Sequence, residues 1–354
     1  MSQSASPSAY QKLRDALVAT PRVWLVTGVA GFIGSNLAEE LLELGQDVVG
    51  LDNFSTGHRS NVAALSALEP HSPGRFRFIE GDIRDLDACR RACEGVNLVL
   101  HQAALASVPR SIKDPIASSE VNVLGFLNVL VAARDASASR VVYASSSSVY
   151  GDATTIPQVE ENTGRVLSPY AATKAANEMY AAVFQRTYGL ETIGLRYFNV
   201  FGRRQDPEGA YAAVIPRWTA RLLAGEACEI YGDGETSRDF CYIANTVQAN
   251  LLAAAAADAA ATGQAFNIAR GDETSLNNLF AMIRDGLAEM VPGVASSRPR
   301  YLPARQGDIR RSLADIGKSR RLLGYDPTHS VAEGLAEALE WYASERHKPE
   351  IAVT

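Results

Sequence analysis

Short apolar runs recur through the first half of the chain, separated by stretches whose apolar positions repeat at helical spacing. The runs VWLVTG (23–28), DVVGLD (47–52), RFRFIE (75–80), NLVLHQ (97–102), RVVYASS (140–146) and TIGLRY (192–197) read as strands, being short, apolar and rich in β-branched residues. The stretches at 36–44, near 85–94, 121–136 and 169–189 read as helices, and 8–19 as a short amphipathic helix ahead of the first strand. Strands alternating with helices build βαβ units. Right-handed crossovers then wind these into a Rossmann-like, doubly wound parallel sheet.

After residue 197 the rhythm changes. Pro, Gly and polar clusters occupy 202–216 and 231–239, and the last third is mixed. The alanine-rich LLAAAAADAAA (251–261) predicts a packed helix, because alanine favours helix most. FNIAR (266–270) predicts one more strand. The pattern therefore predicts an α/β protein with a sheet domain over 1–198 and 239–270. A smaller mixed α/β domain is expected over 199–238 and 271–354.

Composition adds exclusions. The chain has 354 residues, 47% of them hydrophobic, and a net charge of −6, which argues against a basic face for nucleic acid or acidic lipid. An anionic ligand would need a few locally placed arginines. No apolar run approaches the ~18 residues that span a bilayer, and the N-terminus lacks a signal-peptide core. No membrane partner and a cytoplasmic location are expected. Cys89 and Cys93 would lie one helical turn apart, but no nearby His or Cys pair completes a metal site. These two, with Cys228 and Cys241, read as small core residues in a reducing compartment, and no metal is expected.

The first strand runs into TGVAGFIGSN, with glycines at 28, 31 and 34. Gly28 permits a tight turn, Gly31 admits a pyrophosphate to the backbone, and Gly34 lets the next helix pack closely on the strand. Asp52, at the end of the second strand and 18 residues past Gly34, would accept hydrogen bonds from ribose hydroxyls and repel a 2′-phosphate. The pattern predicts NAD rather than NADP.

SPYAATKAANEMY opens with Ser168 as N-cap and Pro169 at the first helical position. Tyr170 and Lys174 then share one helix face. A phenol with a pKa of about 10 is a poor base at neutral pH. A neighbouring ammonium that lowers it by ~3 units supplies ~4 kcal/mol. The segment YASSSSVYG (143–151) carries four serines, which composition alone would assign to a solvated loop. Its position at the end of the fifth strand puts it instead at the sheet edge where such folds bind ligands.

TGxxGFIG, the strand-end Asp52, SSSSVYG, YxxxK and RYFNVFG together resemble the extended short-chain dehydrogenase/reductase family of nucleotide-sugar enzymes, over nearly the whole chain. HQAALASVPRSI, RYFNVFGRRQDP, GAYAAVIPRW and GDGETSRDFCYI are most similar to the bacterial UDP-N-acetylglucosamine 4-epimerases of polysaccharide synthesis. The resemblance implies Tyr170 as base, Lys174 as its partner on the nicotinamide ribose, and Ser146 as the hydroxyl on the sugar O4. Ser147 and Ser148 would contact sugar or nicotinamide. It extends the cofactor contacts to Phe32, Ile33, Asn53, Asp82, Ile83, Gln102, Ala103 and Ala104. Asn199, Arg238 and Arg305 would hold the diphosphate and nucleotide, Asp308 the uridine ribose, and Val214 is a further substrate contact. Ser312, where glucose-restricted relatives resemble a bulky tyrosine, would leave room for a C2 acetamido group.

The implied reaction is inversion at C4 through a 4-keto sugar, with NAD staying bound between turnovers. Related dehydratases carry Asp and Glu directly after the catalytic hydroxyl, and Ser147 and Ser148 stand there instead, which favours epimerisation. UDP-glucose and UDP-N-acetylglucosaminuronic acid remain alternative substrates, and a non-catalytic NAD-binding protein is the reading from another class. The helices 121–136 and 169–189 resemble the pair through which this family forms homodimers.

Overall fold

The computed structural model describes residues 7–68, 71–207, 212–304 and 310–345. Seven parallel strands form the central sheet: β1 Val23–Thr27, β2 Asp47–Asp52, β3 Phe76–Glu80, β4 Leu98–His101, β5 Arg140–Ser146, β6 Glu191–Tyr197 and β7 Gln264–Ile268. Their spatial order is β7-β6-β5-β4-β1-β2-β3, so the chain reverses direction of travel between β1 and β4. Ligands bind beyond the carboxyl ends of strands at such a switch point. Those ends here are Thr27, Asp52, His101, Ser146 and Tyr197.

Both sheet faces are covered, which is why the strands read as continuous apolar runs rather than as alternation. Trp24 and Val26 point into one core, together with Leu37, Leu41, Val142 and Ile193. Leu25 points into the other, with Val99, Val141, Phe126, Leu130 and Phe184. The predicted Rossmann-like α/β class is therefore the observed one.

Local chemistry sets the helix ends. Ser8 Oγ accepts from Gln11 N at 3.1 Å at the start of Ala9–Ala19, and Ser168 Oγ accepts from Ala171 N at 3.1 Å at the start of Pro169–Tyr188. Gly189, at φ 72°, closes the latter.

Several boundaries differ from the sequence expectation. The helix expected from 36 begins at Phe32, directly after Gly31. The alanine-rich segment does not stay helical. Ile243–Ala255 ends there, and Asp258 caps a separate 3-10 turn, Ala259–Ala261, by accepting from Ala260 N at 2.8 Å. A capping aspartate outcompetes alanine propensity. The last strand starts two residues early, at Gln264. Arg59–Leu68, Val214–Leu223, Leu276–Ala288, Gly317–Leu323 and Val331–Glu345 are further helices that the pattern did not resolve.

The absence of a membrane-length apolar stretch also needs correction. Pro115–Asp135 is long and apolar enough to span a bilayer by length and composition. Its inner face, including Phe126, Val129, Leu130 and Ala133, packs into the core against the sheet, which accounts for its apolar character.

Beyond the sheet, short strands form small pairings. Ser237–Arg238 pairs antiparallel with Thr274–Ser275 and parallel with Arg311–Ser312. Arg300–Leu302 lies parallel to Glu229–Tyr231. All four cysteines are buried and free, and burial pushes the Cys89 and Cys93 thiols up to about 12.

Candidate active site

The turn after β1 is built by close approach. Gly28 adopts φ +70°, and a Cβ there would lie 2.8 Å from Ala103 N. A Cβ on Gly34 would lie 2.1 Å from Gly28 O, so the helix Phe32–Glu43 can touch the strand only without one. Gly31 is the N-cap of that helix. Of the residues expected to contact a cofactor, Gly28, Gly31, Phe32, Ile33, Gly34, Asp52, Asn53, Asp82, Ile83, Gln102, Ala103 and Ala104 line one continuous cleft, while Tyr170 and Lys174 are not among its lining residues. Ser55, Thr56 and Leu105 line it too, and no sequence signal had marked them.

Asp52 is placed by the loops around it. Its carboxylate accepts from Ala30 N at 3.0 Å and Phe54 N at 2.8 Å, while burial raises its pKa. Asp82 is more firmly committed. It pairs with Arg84 at 2.7 Å and accepts from Asn53 Nδ2 at 2.8 Å, and its carboxyl is held at about 2. The cleft floor rests on Thr27, whose Oγ1 lies 2.8 Å from His101 Nδ1 and accepts from Ala103 N at 3.3 Å. Burial and the Lys174 charge push His101 down to about 3, so it is neutral. Gln102 Nε2 donates to Asn250 Oδ1 at 3.0 Å and Gln102 Oε1 accepts from Tyr197 OH at 3.1 Å, which fixes the cleft wall to β6 and to Ile243–Ala255.

Tyr170 and Lys174 lie in the first two turns of Pro169–Tyr188 and meet the end of β5. Burial raises the Tyr170 phenol, and its hydrogen bond with Ser146 lowers it. Lys174 is fully buried, donates from Nζ to Ala144 O at 2.9 Å, and lies 5.9 Å from the Tyr170 ring centre. Burial pushes its ammonium down to about 8. Ser146 Oγ caps the 3-10 turn Ser147–Tyr150, accepting from Ser148 N at 3.1 Å, with Ser148 Oγ also at 3.1 Å. The serine run is thus a strand end followed by one tight turn.

Asn122 was not predicted. It sits in a π-helical turn, Glu120–Gly125, and donates to Thr173 Oγ1 at 3.1 Å while bonding the Leu105 backbone at 2.8 and 3.2 Å. Thr173 in turn donates to Tyr170 O at 2.7 Å.

Of the predicted substrate residues, Arg238 and Ser312 are direct partners on adjacent short strands. Asn199, at φ +32°, donates Nδ2 to Asp239 O at 3.0 Å, beside Arg238. Buried Asp239 fastens this segment by accepting from Arg270 N, Gly271 N and Ala314 N at 2.9 to 3.2 Å. Val214 opens the helix Val214–Leu223. Arg305 and Asp308 lie outside the described residues.

Comparison with known proteins identifies the assembly. Residues 24–269 match the model of the NAD dependent epimerase/dehydratase family. The chain is 38% identical over 320 residues to a UDP-glucose 4-epimerase of Mycolicibacterium smegmatis, covering 90% of this chain and 97% of the relative. Among solved structures it resembles the UDP-N-acetylglucosamine 4-epimerase of Methanobrevibacter ruminantium, in complex with UDP-N-acetylmuramic acid. There the TM-score is 0.83 at 36% identity, over 92% of this chain and 99% of that one. A mutant UDP-glucuronic acid 4-epimerase of Bacillus cereus, solved with NAD, gives 0.81 at 29% identity, over 91% and 99%. The glycine cradle, where a Cβ would fill the approach, and the strand-end carboxylate fit the NAD that this family uses. The chain belongs to the NAD-dependent epimerase/dehydratase family, with the fold of the extended short-chain dehydrogenase/reductases.

Proposed function

We propose that this protein interconverts UDP-N-acetylglucosamine and UDP-N-acetylgalactosamine by inverting C4. The 4-epimerisation of a UDP sugar is the activity that several of its relatives are named for. The observation that carries the reading is the convergence of Tyr170, Lys174 and Ser146 at the carboxyl end of β5, on a helix tied through Thr173 and Asn122 to Leu105 of the cofactor cleft.

Bound NAD supplies the two-electron acceptor and donor at C4. The chain's residues handle protons and position. Tyr170 takes the proton of the C4 hydroxyl, and the Lys174 ammonium favours the phenolate that does so. Ser146 holds the same sugar oxygen and shares its proton with Tyr170. Once C4 is a ketone, the sugar turns about its diphosphate linkage and offers its other face, and Tyr170 returns the proton. Arg238 and Asn199 would hold the diphosphate during the turn, with Arg305 and Asp308 on the nucleotide. Residues 1–198 with 239–270 would serve the cofactor and 199–238 with 271–354 the sugar nucleotide.

The acetamido preference rests on Ser312, a small side chain paired with Arg238. A retained triad argues against a non-catalytic NAD-binding role. The purified protein should convert UDP-N-acetylglucosamine without added NAD, and Tyr170→Phe should abolish conversion. Conversion of UDP-glucose or UDP-N-acetylglucosaminuronic acid alone would overturn the substrate assignment.

A homodimer is proposed on the same terms. Leu124, Met179 and Val183 are exposed apolar residues on the two helices named from the sequence. Val183→Glu should shift the protein to monomer in sedimentation, and unchanged sedimentation would count against this face.

A further inference from the structure

Three consecutive residues at the end of β5 meet three residues spaced four apart on the catalytic helix. Ser146 stands near enough to Tyr170 to hold its phenol down, and Ala144 O accepts from Lys174 Nζ at 2.9 Å. Ser145 Oγ donates to Glu178 Oε1 at 2.6 Å, a short, charge-assisted bond. Because strand side chains alternate, Ser145 points away from Ser146, to the rear of the strand. The four-residue helical spacing brings Glu178 to it there. Ser145 is 3% exposed and the Glu178 side chain 17%, so the bond is shielded from water mainly on the strand side.

Glu178 is itself immobilised. Arg196, on β6, donates to its two oxygens at 2.9 and 2.8 Å, and another Arg196 nitrogen donates to Glu160 O at 3.0 Å. The Arg196 guanidinium also lies 5.0 Å from the Tyr150 ring centre, and Tyr150 OH donates to Asn267 Oδ1 at 2.6 Å. The anchor behind Ser145 thus extends through β6 to β7.

We infer that Ser145 and Glu178 are positioning residues for the reaction, joining β5 to the catalytic helix from behind and so setting the separation of the Ser146 and Tyr170 hydroxyls. The inference rests on the proposed chemistry of Ser146 and Tyr170. Neither Ser145 nor Glu178 lines the cofactor cleft. Their loss lets the strand end and helix drift apart, which costs rate because both hydroxyls must reach one oxygen together.

Ser145→Ala is the informative variant, since it leaves the Glu178–Arg196 ion pair intact and the protein folded. It should keep its melting temperature, its bound nicotinamide and a KM within about two-fold of the parent, while kcat falls about ten-fold. Ser145→Thr, which restores the hydroxyl, should recover most of that rate. Separately from any sugar, the Tyr170 phenol should titrate higher in Ser145→Ala than in the parent, read by absorbance against matched Tyr170→Phe controls. A Ser145→Ala enzyme with parental kcat, or one whose Tyr170 titration does not move, overturns the inference. A parent protein that turns over no UDP sugar instead sinks the substrate reading, and the titration then decides the Ser145 role by itself.

Discussion

Lys174 Nζ donates to Ala144 O at 2.9 Å, which fastens the helix Pro169–Tyr188 to the main chain two residues before Ser146. The contact holds a cation in a site that burial makes costly, and its pKa is pushed down to about 8. Below that value Lys174 is charged and supports a Tyr170 phenolate, and above it the support is lost. The rate should therefore fall on the alkaline side of about pH 8. Lys174→Arg, whose guanidinium stays protonated, should be slower throughout and lack that alkaline limb. A pH profile of kcat checks both.

Ser146 caps the turn after β5 and holds the Tyr170 phenol down. Ser146→Ala should lower kcat by about 10²- to 10⁴-fold, the range for losing a positioned proton-transfer group. Bound nicotinamide, measured after denaturing the purified protein, should remain at the parental ratio.

Asp52 lines the cleft and is held there by two backbone amides. Asp52→Ala should release cofactor during purification and narrow the preference for NAD over NADP. Titrations of the two dinucleotides against the stripped protein provide the test.

The two turn glycines should differ in tolerance. A Cβ on Gly34 would lie 2.1 Å from Gly28 O, whereas on Gly31 the nearest such contact is 3.2 Å. Gly34→Ala should cost about 3 kcal/mol or more, at or beyond the upper end of overpacking penalties, and Gly31→Ala distinctly less. Chemical denaturation of the cofactor-free proteins compares them.

Ser312 is buried beside Arg238. Ser312→Tyr should reduce turnover of the acetamido sugar nucleotides at least about ten-fold while sparing UDP-glucose, as expected for about 1–3 kcal/mol of steric exclusion. A substrate panel at equal concentrations reads the ratio.

The sequence alone determined the sheet, the cofactor turn and the Tyr170–Lys174 pair, because each rests on a short-range rule. Strand runs buried on both faces are apolar throughout, glycines mark close backbone approach, and a four-residue interval puts two side chains on one helix face. Its boundaries erred where a local side chain outcompeted propensity, as Asp258 does after Ala255. Only the tertiary structure decided what joins separate elements. The Asn122 bridge from Leu105 to Thr173 links segments 17 and 51 residues distant in the chain. The bond of Ser145 to Glu178 spans 33, and the pairing of Arg238 with Ser312 needs three strands to meet. No local pattern encodes such contacts, since they exist only once packing has brought the elements together. The four serines illustrate both sides: their strand-end position follows from the chain, while the opposite directions of Ser145 and Ser146 acquire meaning only from Glu178 and Tyr170 across the gap.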